Sequence, residues 1–360
     1  MIIYFFLFFI MLLFGVVVFN HGYTYNRKKI YSFFFFISIS IVECFRSTSI
    51  GEDTINYVSW FKDFCTDGWT ISILEPRRYV EPGFKMLNLL IATFTSNEHI
   101  FVAIVAIIIS LLFVSYLRFN SEDFLISVML FFGLNFFVNS MTAFRQFIAM
   151  GIAFWMLPLL LNKQWIKVVL VAAASLLFHQ SSIIHIISVI FVYFFRKNRK
   201  TLGLIIVGEC IAGGIIPILL NIFLKIFPKY DIYFKYGEEA VMGELRLVII
   251  LIEIFLLLYY YIFKKELHNE YNNCIFAMVS VSVFVGFLNG VIPHIFRLGY
   301  YFDFYLLLFI PILISKKRGM TKCIWKVAII SAVNGNARQY SCCKKYTAYL
   351  FVFCFFHIIY

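Results

Sequence analysis

Arginines, acids and a histidine draw attention in this chain because so little around them is polar: 62% of its 360 residues are hydrophobic and 14% are charged. Five short stretches hold the side chains able to do chemistry. "FRSTSIGEDTINYVSWF" (45–61) contributes Arg46, Asp53 and Tyr57, and "EPGFKMLNLL" (81–90) contributes Glu81 beside Pro82 and Gly83. "MTAFRQFIAMGI" (141–152) carries Arg145 and Gln146, "LLFHQSSII" (176–184) carries His179 and Ser182, and "IFRLGYYFDFYLL" (295–307) carries Arg297, Tyr301 and Asp303. Arginine presents a rigid fork that suits phosphate. Carboxylates and imidazole take protons from hydroxyls and return them to leaving groups.

The elements that position these groups must be membrane helices. A mean hydropathy of +0.89, with 46 Phe, lies far from the soluble range, where about a quarter of residues are charged. A spanning backbone has to satisfy its own hydrogen bonds, so the expected fold is all-α, a polytopic transmembrane bundle. Apolar runs mark segments at 2–19, 29–45, 98–117, 124–139, 146–161, 166–178, 183–195, 202–224, 247–263, 274–292, 298–314 and 323–333, with a last run at 348–360. The first is read as a retained span, since no basic residues precede it and no small-residue cleavage site follows.

Lys and Arg give the orientation. Arg27 to Lys29, Arg118, Lys163 and Lys167, Arg196 to Lys200, Lys264 and Lys265, and Lys316 to Lys326 fall on one side, the cytoplasmic one. The long connections 46–97 and 225–246 then lie outside. The net charge of +12 is on this reading a topology signal, and no nucleic-acid partner is expected.

Placement sharpens the five stretches. Thr54 to Phe61 can begin a short helix capped by Asp53, and Phe84–Phe94 is too short to cross, at about 16 Å. Arg145 stands at the mouth of a span, where an embedded guanidinium costs on the order of 3 kcal/mol and calls for a polar cavity or an anionic partner. The arms 166–178 and 183–195 measure about 20 Å each against a core of about 30 Å. His179 to Ser182 therefore belong below the outer surface, in a cavity open to the outside, with His185 a core histidine. Arg297, Tyr301 and Tyr305 fall on one helical face; Asp303 is expected to pair with a cation of a neighbouring helix or to accept hydrogen bonds. Glu43, Glu209 and Glu253 are further intramembrane acids, the raw material of a proton relay. Arg46, Arg145 and Arg297, a histidine and carboxylates on one membrane face would suit a lipid-linked diphosphate, with Trp60, Trp69, Tyr57 and Tyr79 available to stack on sugars.

In this order, and within about a dozen spans or re-entrant helices, the five stretches resemble the EpsG family of Wzy-like bacterial polysaccharide polymerases, over residues 1 to about 330. The resemblance implies a GT-C-like glycosyltransferase of the bacterial cytoplasmic membrane. It would polymerise undecaprenyl-diphosphate-linked repeat units into exopolysaccharide, capsule or O-antigen at the outer face, alongside membrane lipid and other polysaccharide-assembly proteins. Carried onto this chain, it assigns diphosphate holding to Arg145 and Arg297 and leaves the base open among Asp53, Glu81 and His179. Arg46, Tyr57, Gln146, Ser182 and Tyr301 complete the expected site. No glycine-rich phosphate loop and no HExxH or CxxC spacing occurs, so neither cofactor nor metal is expected.

Two other classes use similar parts. A flippase or transporter of lipid-linked sugars would hold diphosphate in the same cationic cavity and show an internal repeat. A membrane acyltransferase would place its histidine toward a cytoplasmic donor. The expected domain runs 1–333, followed by a tail, 334–360, whose composition shifts abruptly and which holds Cys342, Cys343 and Cys354 of the eight cysteines. Cys44, Cys210, Cys274 and Cys323 sit in or at the ends of spans and Cys65 stands singly, so no disulfide framework is expected.

Overall fold

The computed structural model describes residues 2–20, 22–74, 80–197, 199–226, 244–289, 292 and 295–315. The expected spans 323–333 and 348–360, the tail 334–360, Tyr79 and most of the connection 225–246 lie outside the described residues. Every regular element among the described residues is helical. Among the described residues, five stretches are long and apolar enough to cross a membrane: Glu98–Asn120, Phe144–Leu161, Arg246–Phe263, Glu270–Leu288 and Phe296–Ile314. The fold is thus the expected all-α membrane type.

The described residues divide into two compact units, one within Met1–Ile186 and one within Ile187–Lys322. In the first, α1 (Ile2–Phe19), α2 (Tyr25–Cys44) and α5 (Glu98–Asn120) pack together, α2 lying along α5. Apolar burial gives little preference for a protein neighbour over lipid, so such contacts depend on close packing and interhelical hydrogen bonds. Phe35 of α2 fits edge-on against Phe124, Phe131 and Phe132. Buried Glu43 takes one hydroxyl on each oxygen, Ser110 at 2.9 Å and Ser140 at 2.8 Å.

Three expectations about elements change. The short helix expected to start at Thr54 is α3 (Thr54–Leu74), 21 residues interrupted at Gly68, whose φ of 63° breaks the helical path. The expected segment 124–139 is two helices, α6 (Phe124–Gly133) and α7 (Phe136–Ser140), because Asn135 takes a left-handed φ of 60°. The next is α8 (Phe144–Ala153) followed by α9 (Met156–Leu161), with a break at Phe154 and Trp155. The short elements came out as read. α4 (Pro82–Phe94) has 13 residues, and α10 (Trp165–Phe178) and α11 (Ser182–Phe195) have 14 each.

The second unit holds α12 (Arg199–Ile226), α13 (Glu244–Phe263), α14 (Glu270–Leu288), α15 (Phe296–Asp303) and α16 (Leu306–Ser315). α14 is its axis, packing against α12, α13, α15 and α16 and burying residues on all sides. Asn269 caps it, accepting from the Asn272 N–H at 2.8 Å. Of the face expected to align Arg297, Tyr301 and Tyr305, the first two share α15 and Tyr305 lies beyond its end. α15 ends at Asp303, and Tyr301 and Tyr305 are fully buried while Arg297 is exposed.

Candidate active site

Glu81 is the natural starting point, because its own helix leaves its carboxylate unused. It is the N-cap of α4 with Pro82 following, and its side chain makes no capping bond. Arg145 lies in the first turn of α8, which has no acid there to balance it. The helix dipole disfavours a cation at that end and favours an anion at the start of α4. The two misfits resolve each other: Arg145 Nη1 donates to Glu81 Oε2 in a half-buried ion pair. The other oxygen, Oε1, lies 3.0 Å from His179 Nδ1.

A close approach of backbones brings His179 there. It closes α10 in extended conformation, its N–H donating to Ser175 O at 3.0 Å, and α10 packs on α4. A β-carbon on Gly83 would stand 2.8 Å from the Leu177 carbonyl oxygen. Only glycine lets the start of α4 approach the end of α10 so nearly.

Aromatic rings hold the guanidinium from the side. Arg145 Cζ lies 4.9 Å from the Trp60 ring centre and 5.7 Å from that of Tyr57. Tyr57 is stacked on Phe144 at 5.1 Å, and Arg46 lies over Phe144 at 5.3 Å. The result is a column of two stacked rings, Phe144 and Tyr57, with a guanidinium at each end, Arg46 and Arg145, each step within cation–π or stacking range.

Arg46 does other work than the sequence suggested. It is 7% exposed, and it donates to Ile50 O, to Met141 O at 3.1 Å and to Thr54 Oγ1 at 3.4 Å. Thr54 Oγ1 in turn donates to Met141 O at 2.9 Å. Gly51, at φ +96°, completes the joint; a β-carbon there would meet Met141 O at 2.5 Å. This knot fastens the start of α3, which carries Tyr57 and Trp60, to the turn before α8, which carries Arg145.

The electrostatics favour a charged Glu81. Burial pushes its carboxyl up, but the hydrogen bond with His179, its own backbone N–H and the Arg145 guanidinium outweigh this and hold it down at about 2. An ionised carboxylate can only accept, so the proton between Glu81 and His179 sits on Nδ1. In the neutral ring Nε2 is then the basic atom, on a side chain that is 25% exposed.

Of the expected residues, the structure brings Glu81, Arg145, His179 and Tyr57 together. Gln146 is buried in the first turn of α8. Buried Ser182 begins α11, its N–H donating to His179 O at 3.1 Å, and its hydroxyl has no partner among the described residues. Asp53 is half-buried immediately before α3, its carbonyl accepting from the Tyr57 N–H at 3.1 Å. Arg297 and Tyr301 belong to the second unit. There Asp303 does pair with a cation of another helix, Arg246 of α13, at 3.0 and 3.1 Å. Trp60 was assigned to sugar, and its place against Arg145 was not foreseen; its spacing of three from Tyr57, on the same helical face, was the available signal.

No curated protein and no solved structure matches this chain. The EpsG family model matches residues 29–360, nearly the whole chain and the segment 334–360 with it. This chain belongs to the EpsG family and is a membrane protein of polysaccharide biosynthesis.

Proposed function

We propose that the protein polymerises polysaccharide, transferring a growing glycan from its lipid diphosphate to a hydroxyl of the incoming lipid-linked repeat unit. The observation that carries this reading is the division of one carboxylate, Glu81, between Arg145 and His179 at a partly exposed position. Glu81 fixes the His179 tautomer, so that Nε2 can take the acceptor proton as the hydroxyl oxygen bonds to the anomeric carbon. The bond from that carbon to the diphosphate oxygen breaks, and the leaving group departs with the bonding pair. Arg145, pinned between Glu81 and the rings of Tyr57 and Trp60, stabilises the charge that develops on it.

The finer reading follows the family. The carrier is undecaprenyl diphosphate, the site opens to the outer face of the bacterial cytoplasmic membrane, and the bundle has about twelve spans or re-entrant helices in a GT-C-like arrangement. Arg297 would hold the second diphosphate. Under this mechanism Asp53 is the weaker candidate for base, since the Glu81 and His179 pair already provides a proton acceptor and its orienting group.

Lipid analysis of a deletion strain tests the activity. A polymerase deletion should accumulate single repeat units on lipid, open to reagents at the outer face. Units trapped at the inner face would identify a flippase and end the proposal.

A further inference from the structure

Within the second unit, three helices bring four polar side chains into an apolar layer. Arg246 of α13 closes both Nη atoms on Asp303 of α15 and also donates to the Ser282 carbonyl of α14 at 3.2 Å. The Ser282 hydroxyl touches two acids, Asp303 Oδ1 and, at 3.1 Å, Glu253 Oε1. Tyr300 lies in the electrostatic surroundings of Arg246.

The proton count does not close with ordinary charges. A serine hydroxyl has one hydrogen and can donate to only one of the two carboxylates. Asp303 already receives the full guanidinium fork, so it is the anion, and Arg246 with Asp303 is neutral as a pair. Glu253 remains. It is 1% exposed, and its Oε2 has no hydrogen-bond partner among the described residues. For an ionised carboxylate with one bare oxygen, in a helix apolar enough to cross lipid, one shared hydroxyl and a guanidinium already closed on Asp303 do not make up the lost solvation.

We infer that Glu253 is a proton-binding site: its carboxyl holds a proton, directed to Ser282 Oγ, which donates its own hydrogen to Asp303. The chain of three oxygens is then fully paired, with net charge zero across Arg246, Asp303 and Glu253. Glu253 Oε1, Ser282 Oγ and Asp303 Oδ1 also form a short path along which a proton can pass between α13 and α15, each oxygen giving one hydrogen as it receives another.

Infrared spectra of the purified full chain and of Glu253→Gln test this. The wild type should show the carbonyl stretch of a neutral carboxylic acid that the variant lacks, and a carboxylate pair of bands in the difference spectrum would overturn the assignment. Glutamine mimics a protonated glutamate, so the variant should fold, with Tm within about 2 °C of wild type, whereas Asp303→Asn should lower Tm several-fold more. Failure of Glu253→Gln to fold would count against the proposal. So would a rise in wild-type Tm with added sodium that the variant loses, because an alkali cation would then be supplying the missing charge.

Discussion

Arg145 and Arg246 each meet a carboxylate from another helix, and they differ in what else that carboxylate holds. Arg246 spends both Nη atoms on Asp303 and one of them again on a carbonyl, and Asp303 is further covered by Ser282. Arg145 reaches Glu81 through Nη1, and the second carboxylate oxygen goes to an imidazole. A fork closed on an acid and capped by a hydroxyl fixes the positions of three helices. A carboxylate shared with a histidine orients a ring whose other nitrogen is left for a ligand. Similar residue types thus give a brace in one unit and a candidate site in the other, and the difference lies in the third partner.

The largest effect should come from exchanging the two arginines for lysine. Arg145→Lys keeps the charge but loses the planar fork and its stacking on Trp60 and Tyr57. Polymer formation from lipid-linked repeat units should fall by about 10³-fold, with Tm nearly unchanged. Arg246→Lys should do the reverse, lowering Tm while activity per folded molecule stays within a few-fold of wild type. Equal activity losses from the two variants would erase the distinction between site and brace. His179→Gln comes next, at about 10²-fold in kcat with KM little altered, as expected for a group that moves a proton. A change confined to KM would reassign His179 to binding.

Gly83→Ala probes the approach rather than a functional group. The new methyl would meet the Leu177 carbonyl at 2.8 Å, so α4 and α10 must separate by some tenths of an ångström and Glu81 must draw away from His179. A loss of about tenfold in kcat is expected, measurable beside wild type in the same detergent. An unchanged rate would mean that the distance from Glu81 to His179 does not govern catalysis.

How much of this was legible beforehand depends on the kind of contact. Composition and the lengths of apolar runs gave the helical membrane class, and the short arms around His179 came out as helices of the expected size. Arg145's need for an anionic partner could be argued from the cost of a guanidinium in lipid, but its partner could not be named. Glu81 lies 64 residues away, and only the packing of α4, α8 and α10 brings the two together. Arg46 shows the opposite failure. Its charge suggested phosphate, yet it is enclosed by the carbonyls of Ile50 and Met141, and backbone acceptors carry no mark in the sequence. Asn135, in left-handed conformation inside an apolar run, shows why 124–139 read as one helix when it is two.

The smallest effect concerns pH and asks whether the Glu81 pair is ionic at all. Its carboxyl is brought down from 4.5 to about 2 in the folded chain. A group depressed in this way stabilises the fold fully above its unfolded value and loses that contribution as pH falls toward its folded value. The Tm gap between wild type and Glu81→Gln, a few degrees at neutral pH, should therefore stay level down to about pH 4.5 and narrow only below it. The measurement needs only detergent-solubilised protein and a thermal scan at each pH. A gap that closes between pH 6 and 5 would mean that Arg145 and His179 do not hold the carboxylate charged, and Arg145 would then need some other anion to keep its place beside the rings.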